Sequence, residues 1–202
     1  MPLKTPLRRI GSVLAVLALA ATAAACSNDP VAEQYLDGDN KGYIAGDFRV
    51  DPIPAEDRGE PVEWAGETEH GEPLSSEDTA GKVTVVNFWY ASCGPCIVEA
   101  PDLEQVWQEY QDDDVAFVGV NIYDQADTAR SFAKDNGVTY PSIVDVNTGS
   151  VKLAFADATP IQATPTTLVL DREGRVAARI IGQLEGASIL STLVGETLDE
   201  AA

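Results

Sequence analysis

Residues 83–101 read VTVVNFWYASCGPCIVEAP. The first seven, Val83 to Trp89, form a continuous apolar run rich in β-branched and aromatic side chains. Such a run fits a strand buried on both faces, as in a parallel sheet. Past the cysteines the period changes. Cys96, Ala100, Leu103, Trp107 and Tyr110 recur at steps of four, three, four and three, which is one face of a helix. Pro101 falls inside that helix and is expected to kink it. Cys93 and Cys96 therefore sit where a buried strand hands over to a helix.

That placement favours reactive sulfur. The nucleophile in thiol chemistry is the thiolate, which a lowered pKa makes available near neutrality. A sulfur at a helix N-terminus faces unpaired amide N–H groups and the positive end of the helix dipole. Pro95 suits the first turn because it lacks only an N–H that would be unpaired there. Gly94 permits a tight turn, and two intervening residues bring both sulfurs within disulfide reach. Cys93 is read as the attacking thiol. Cys96, one turn deeper, is read as the resolving thiol and as the less exposed of the two. Structural zinc is disfavoured by counting ligands, because it takes four and, with Cys26 assigned below to a lipid anchor, the chain offers only Cys93, Cys96 and one histidine, His70, in a turn. An inert core pair would not need Gly-Pro between its members.

Outward from this centre the alternation of strands and helices continues. Val115–Asn121 reads as a second buried strand, 126–136 as a helix closed by Gly137, and 142–146 as a third strand. Thr166–Leu170 and Val176–Ile181 read as a hairpin around Arg172-Glu173-Gly174, followed by a helix over 187–198. Before the first buried strand, residues 61–74 suggest a short hairpin turning through His70-Gly71-Glu72-Pro73. The order predicts an α/β fold with right-handed crossovers, helices on both faces of a central sheet, and antiparallel strands added by the terminal hairpin.

The N-terminus reads as an export signal. Lys4, Arg8 and Arg9 precede an apolar stretch from Ile10 to Ala25, short for a membrane span. Ala23-Ala24-Ala25-Cys26 resembles the lipobox of bacterial lipoproteins, although that motif usually has Leu where Ala23 stands. The resemblance implies a signal peptide over 1–25 and a lipid on Cys26. Residues 26–60, rich in Asp, Glu, Gly and Pro, read as an acidic tether, with the folded domain over 61–202. Cys93 and Cys96 then remain as the only pair, in an oxidising compartment. The chain carries 33 acidic and 13 basic residues, a net charge of −20. Such a surface repels nucleic acid, which is excluded as a partner.

WYASCGPC after a buried strand resembles the active site of the thioredoxin superfamily. Asn87 stands where cytosolic thioredoxins have a buried Asp, and Glu99 and Pro101 complete a C-x-x-C-x-x-E-x-P run. Together they resemble the membrane-tethered TlpA/ResA-like thiol–disulfide oxidoreductases over about residues 61–200. The resemblance implies a thioredoxin-like mixed sheet with an N-terminal β-hairpin. It implies that Glu99 tunes the cysteine pKa values, with Asn87 supporting it in thiol proton handling. It further implies a cis peptide between Thr164 and Pro165 facing the cysteines, with the Thr164 backbone pairing with substrate. No cofactor is implied beyond the redox-active disulfide Cys93–Cys96. By the same analogy the protein sits on the outer face of the bacterial cytoplasmic membrane. There it reduces protein disulfides such as those of apocytochrome c, with electrons from a membrane thiol carrier of the CcdA type. Disulfide oxidase or isomerase activity on the same fold, and a non-catalytic metal-handling module, are the alternatives. A peroxidase is disfavoured, because Tyr90 stands where peroxiredoxin-like sites place Thr. One departure from the family is Ser92, where a Trp usually precedes the first cysteine. Its small side chain predicts a more exposed Cys93.

Overall fold

The computed structural model describes residues 49–200. The expected signal peptide over 1–25, Cys26 and most of the expected tether lie outside the described residues. Among the described residues eight strands run β1 Arg49–Pro52, β2 Ala65–Glu67, β3 Pro73–Ser75, β4 Val83–Trp89, β5 Val115–Asn121, β6 Ser142–Val144, β7 Thr166–Leu170 and β8 Val176–Ile181. Four helices run α1 Gly94–Tyr110, α2 Ala126–Asn136, α3 Ser150–Ala154 and α4 Ala187–Asp199.

Six strands form one sheet in the order β1-β8-β7-β4-β5-β6. β4, β5 and β6 are parallel, and β7, β8 and β1 add antiparallel pairs. The crossovers β4–α1–β5 and β5–α2–β6 step the same way across the sheet, so right-handed connections place both helices on one face. The return from β6 to β7 carries α3 on the other. One core joins Val83, Val85, Val115, Phe117 and Val169 to Leu103 and Val106 of α1 and to Leu190, Leu193 and Val194 of α4. The opposite core joins Val86, Phe88, Val118, Val120 and Leu168 to Trp64, Val151 and Phe155. The second face is thus covered by Val62 and Trp64 ahead of β2, Leu74 of β3, and Val151 and Phe155 of and just after the five-residue α3, rather than by long helices.

The alternation within β4 matters for the site. Val83 and Val85 point to the α1 face and Val86 and Phe88 to the other, so period two directs Asn87 toward α1. β7 pairs Thr167 with Asn87, and Thr167 shares the parity of Val169, which also faces α1.

The expected start of the domain at residue 61 is corrected by β1. Arg49–Pro52 pairs with β8 from Arg49↔Ile181 to Pro52↔Ala178, and Ile53 donates its N–H to the Ala177 carbonyl. Farther along, the Arg58 guanidinium is buried against Asp171 at 3.0 Å and meets Glu200 at 2.6 Å. Residues 49–58 of the expected tether are therefore built into the sheet edge and fastened to the end of α4. β6 is shorter than expected and ends at Val144. Its outer edge is occupied. Thr68 bridges Ile143, Glu69 N–H donates to the Ser142 carbonyl, and the Glu69 carboxylate accepts the Ser142 N–H at 2.8 Å.

Candidate active site: the Cys93–Cys96 pair

Both cysteines lie at the start of α1. Cys93 is its N-cap, in extended conformation, and Gly94 and Pro95 open the first turn. The two sulfurs are bonded at 2.03 Å. The Cys93 Sγ also accepts the Cys96 N–H at 3.2 Å, taking the place a capping oxygen would occupy. After reduction the same N–H points at a Cys93 thiolate, which it stabilises together with the helix dipole.

The expectation of an exposed Cys93 is overturned. Cys93 and Cys96 are each only 2% exposed, so neither is deeper than the other. Ser92 is indeed small and exposed, but the cover comes from elsewhere. The pair sits in a cluster with Trp89 and Ala129, against which Tyr90, Ala91 and Phe132 pack. The Trp89 and Phe132 rings lie 4.3 Å apart. Trp89 at the end of β4 and α2 thus supply the apolar wall expected of a Trp at position 92.

Glu99 is completely buried, although it stands on a helix. Its Oε1 accepts from the Asn87 side-chain amide at 2.9 Å, and its Oε2 accepts the Leu184 N–H at 2.8 Å. Asn87 donates also to the Thr167 hydroxyl at 2.9 Å. Burial pushes the Glu99 carboxyl up to about 7, while the hydrogen bonds from Leu184 and Asn87 pull the other way. Desolvation prevails because two neutral donors return less than the water a carboxylate loses. Glu99 stands one turn after Cys96, at a spacing that places side chains on the same helix face. A buried acid titrating near neutrality beside a dithiol can take up and release a proton as the sulfurs change state. A cavity of about 10 Å³, at most one water in size, is lined by Asn87, Trp89, Cys96 and Tyr140 among others.

α1 continues through Pro101, which has no N–H to offer the Ile97 carbonyl. The Thr164–Pro165 peptide is cis. Thr166 pairs with Phe88, so this bond lies beside the end of β4 from which the cysteine loop departs. Gly182 N–H donates to the Pro165 carbonyl, and the Thr166 hydroxyl to that of Ala163.

Sequence reasoning passed over the loop after β5. Asn121 is buried, and its Oδ1 accepts the N–H groups of Tyr123 and Asp124. The Asp124 carboxylate accepts the Ala91 N–H at 2.6 Å and the Asn121 amide at 3.0 Å. This fixes the segment leading to Cys93, whose own N–H donates to the Tyr90 carbonyl. An Asn at a strand end, three before an Asp, is an Asx-turn signal that could have marked it.

The comparisons agree with this geometry. The chain is similar to the thiol-disulfide oxidoreductase ResA of Halalkalibacterium halodurans, 29% identical over 115 residues that cover 57% of this chain and 62% of that protein. The match thus spans less than two thirds of that relative. A crystal structure of a DsbF homologue from Corynebacterium diphtheriae superposes with a TM-score of 0.64 at 30% identity, covering 76% of this chain and 96% of that one. A secreted thiol-disulfide isomerase from Corynebacterium glutamicum superposes with a TM-score of 0.68 at 26% identity, covering 80% and 95%. The Redoxin family model matches residues 51–193. With a thioredoxin-like sheet, a bonded cysteine pair at a helix start and a family match over most of its length, the chain belongs to the Redoxin family.

Proposed function

We propose that the protein is an extracytoplasmic thiol–disulfide oxidoreductase that reduces protein disulfides through Cys93 and Cys96. The observation that carries the reading is the Cys96 N–H directed at the Cys93 sulfur, at the N-cap of α1. In the reduced protein the Cys93 thiolate attacks one sulfur of a substrate disulfide. The other substrate sulfur leaves as a thiolate, and Cys93 is held in a mixed disulfide. Cys96, deprotonated with Glu99 as the nearby acceptor, attacks the Cys93 sulfur and releases the second substrate thiolate. Two electrons have passed to the substrate, and the Cys93–Cys96 bond has formed. Pro165 and the Thr164 backbone contact the substrate chain.

The cycle closes when a membrane thiol carrier of the CcdA type reduces the pair again, with apocytochrome c as the substrate class. A lipid on Cys26 would hold the protein at the outer face of the cytoplasmic membrane. Resemblance to the TlpA/ResA group supports these assignments, and the Gly-Pro dipeptide, shared with thioredoxin, favours a reductant.

A second reading, disulfide isomerase or oxidase, is favoured by the likeness to the secreted isomerase of C. glutamicum. The reduction potential of the Cys93–Cys96 pair separates them. The reductase reading expects a value near the roughly −270 mV of thioredoxin, and one near about −120 mV establishes an oxidant. Trapping with Cys96→Ala should retain a mixed disulfide on Cys93. A dithiol that reduces no disulfide yet binds Cu(I) stoichiometrically would instead mark a metal-handling module.

A further inference from the structure

Four large hydrophobic side chains stand exposed among the described residues, and three of them belong to segments that bracket the disulfide. Ile97 and Val98 follow Cys96 on α1, exposed to 43% and 59%. Tyr123, on the loop after β5, is 63% exposed. The Tyr123 ring stands edge-on against the Tyr90 ring, 5.0 Å between centroids, and Tyr90 packs on the cluster that contains both cysteines. This arrangement is not a chance contact of two loose side chains. Asp124 grips the Ala91 N–H, and Asn121 grips the amides of Tyr123 and Asp124. The backbone on both sides of the ring pair is therefore fixed, and the outer face of Tyr123 is left open.

A rigid, half-uncovered aromatic pair makes a good contact surface, because two-angle side chains lose little entropy when a partner binds. We propose that Tyr123, backed by Tyr90, is the specificity-determining contact of the redox site. Its occupant is the polypeptide flanking the substrate disulfide, presenting an aromatic or large aliphatic side chain next to its cysteine. The inference rests on the proposed exchange chemistry, because a substrate held in mixed disulfide with Cys93 must run past this rim. The surface is continuous with the cysteine cluster through Tyr90, and the large side chains exposed on the segments around the disulfide, Ile97, Val98 and Tyr123, are apolar or aromatic, so apolar flanking residues are selected.

The test uses two short peptides, each closed by one disulfide, with Phe or Ser beside the cysteine. The reduced wild-type protein should reduce the Phe peptide with a KM lower by about 3- to 10-fold, the size of one aromatic contact. Tyr123→Ala should erase that preference. Its reduction potential and its rate with a small disulfide such as oxidised glutathione should be unchanged. Tyr123→Phe, which keeps the ring, should keep the preference. The inference is overturned if Tyr123→Ala retains the preference, or if it slows both peptides and the small disulfide equally. Offering the same peptides as dithiols to the oxidised protein separates partner choice from direction of flow. A Phe preference seen only in that direction upholds the contact and overturns the reductase reading. A wild-type protein that exchanges with no peptide in either direction overturns both.

Discussion

The Asn87 side-chain amide donates to the Glu99 carboxylate at 2.9 Å, joining the middle of β4 to the first turns of α1. Both oxygens of Glu99 face N–H donors, from Asn87 and from Leu184. That arrangement suits the ionised acid, whereas burial favours the neutral one, and the carboxyl is pushed up to about 7. When Glu99 takes a proton it needs an acceptor. Turning the Asn87 amide over supplies Oδ1, since the Thr167 hydroxyl can donate as readily as accept.

Glu99→Gln should lower the pKa of the reduced cysteine pair by roughly one unit, because a nearby carboxylate opposes thiolate formation. The substituted amide can be accommodated by the same turn of Asn87. Thiolate absorbance followed against pH in the reduced protein reads the change. An unaltered titration curve would remove Glu99 from thiol chemistry.

The oxidised protein should lose stability as pH rises through the titration of Glu99. The folded-state value, about 7, lies above the ordinary glutamate value of 4.5 that the unfolded chain has. Between these values the folded state binds more protons than the unfolded chain, so stability falls with rising pH. It is fully present below about 4.5 and lost by about 7, and amounts to about 3 kcal/mol at most. Urea midpoints at acidic and mildly alkaline pH, measured without reductant, should separate for the wild type. The separation should shrink in Glu99→Gln. Parallel profiles for the two proteins would refute the assignment.

Gly119→Ala should destabilise the fold by about 1–3 kcal/mol, the range for overpacking. Gly119 lies between Trp89 of β4 and Ser142 of β6. A Cβ there would come within 2.2 Å of the Ser142 Oγ and 2.8 Å of the Trp89 indole nitrogen. Because Trp89 belongs to the cysteine cluster, the substitution should also change the exchange rate of Cys93 with a small disulfide. A variant with wild-type melting and wild-type exchange would show that the neighbours move aside freely.

Arg58→Met should cost about 2–4 kcal/mol, mainly because Asp171 keeps its burial and loses a partner. Arg175 still reaches Asp171 at 2.9 Å, which sets the loss toward the lower end. Limited proteolysis should then cut near residues 53–58 before the rest of the domain. Equal resistance in both proteins would show that β1 is held by its ladder alone.

Much of this architecture is legible in the chain. Val83–Trp89, Val115–Asn121, Thr166–Leu170 and Val176–Ile181 are apolar runs closed by turn residues, and each forms a strand with the expected bounds. α2 ends at Gly137, which adopts the left-handed conformation that stops a helix. β1 escaped detection because Arg-Val-Asp-Pro shows one large apolar residue, and its pairing partner lies far away in β8. α3 is too short for periodicity to show. A helical stripe drawn from apolar residues skips Glu99, since its burial depends on Asn87 and Leu184, 12 and 85 positions away. The cover over Cys93 is hidden from the local sequence for the same reason. Position 92 is local, whereas Phe132 and Ala129 arrive from α2.

The guarding of the sheet's two edges has a consequence for solubility. Ser142 spends its outward N–H and C=O on Glu69, and β1 carries Pro52, which has no N–H to offer. A protein whose proposed partners are incompletely folded chains works among exposed strands looking for a mate. Edges guarded in this way give such strands a poorer template, so an encounter can end in sulfur exchange rather than in aggregation.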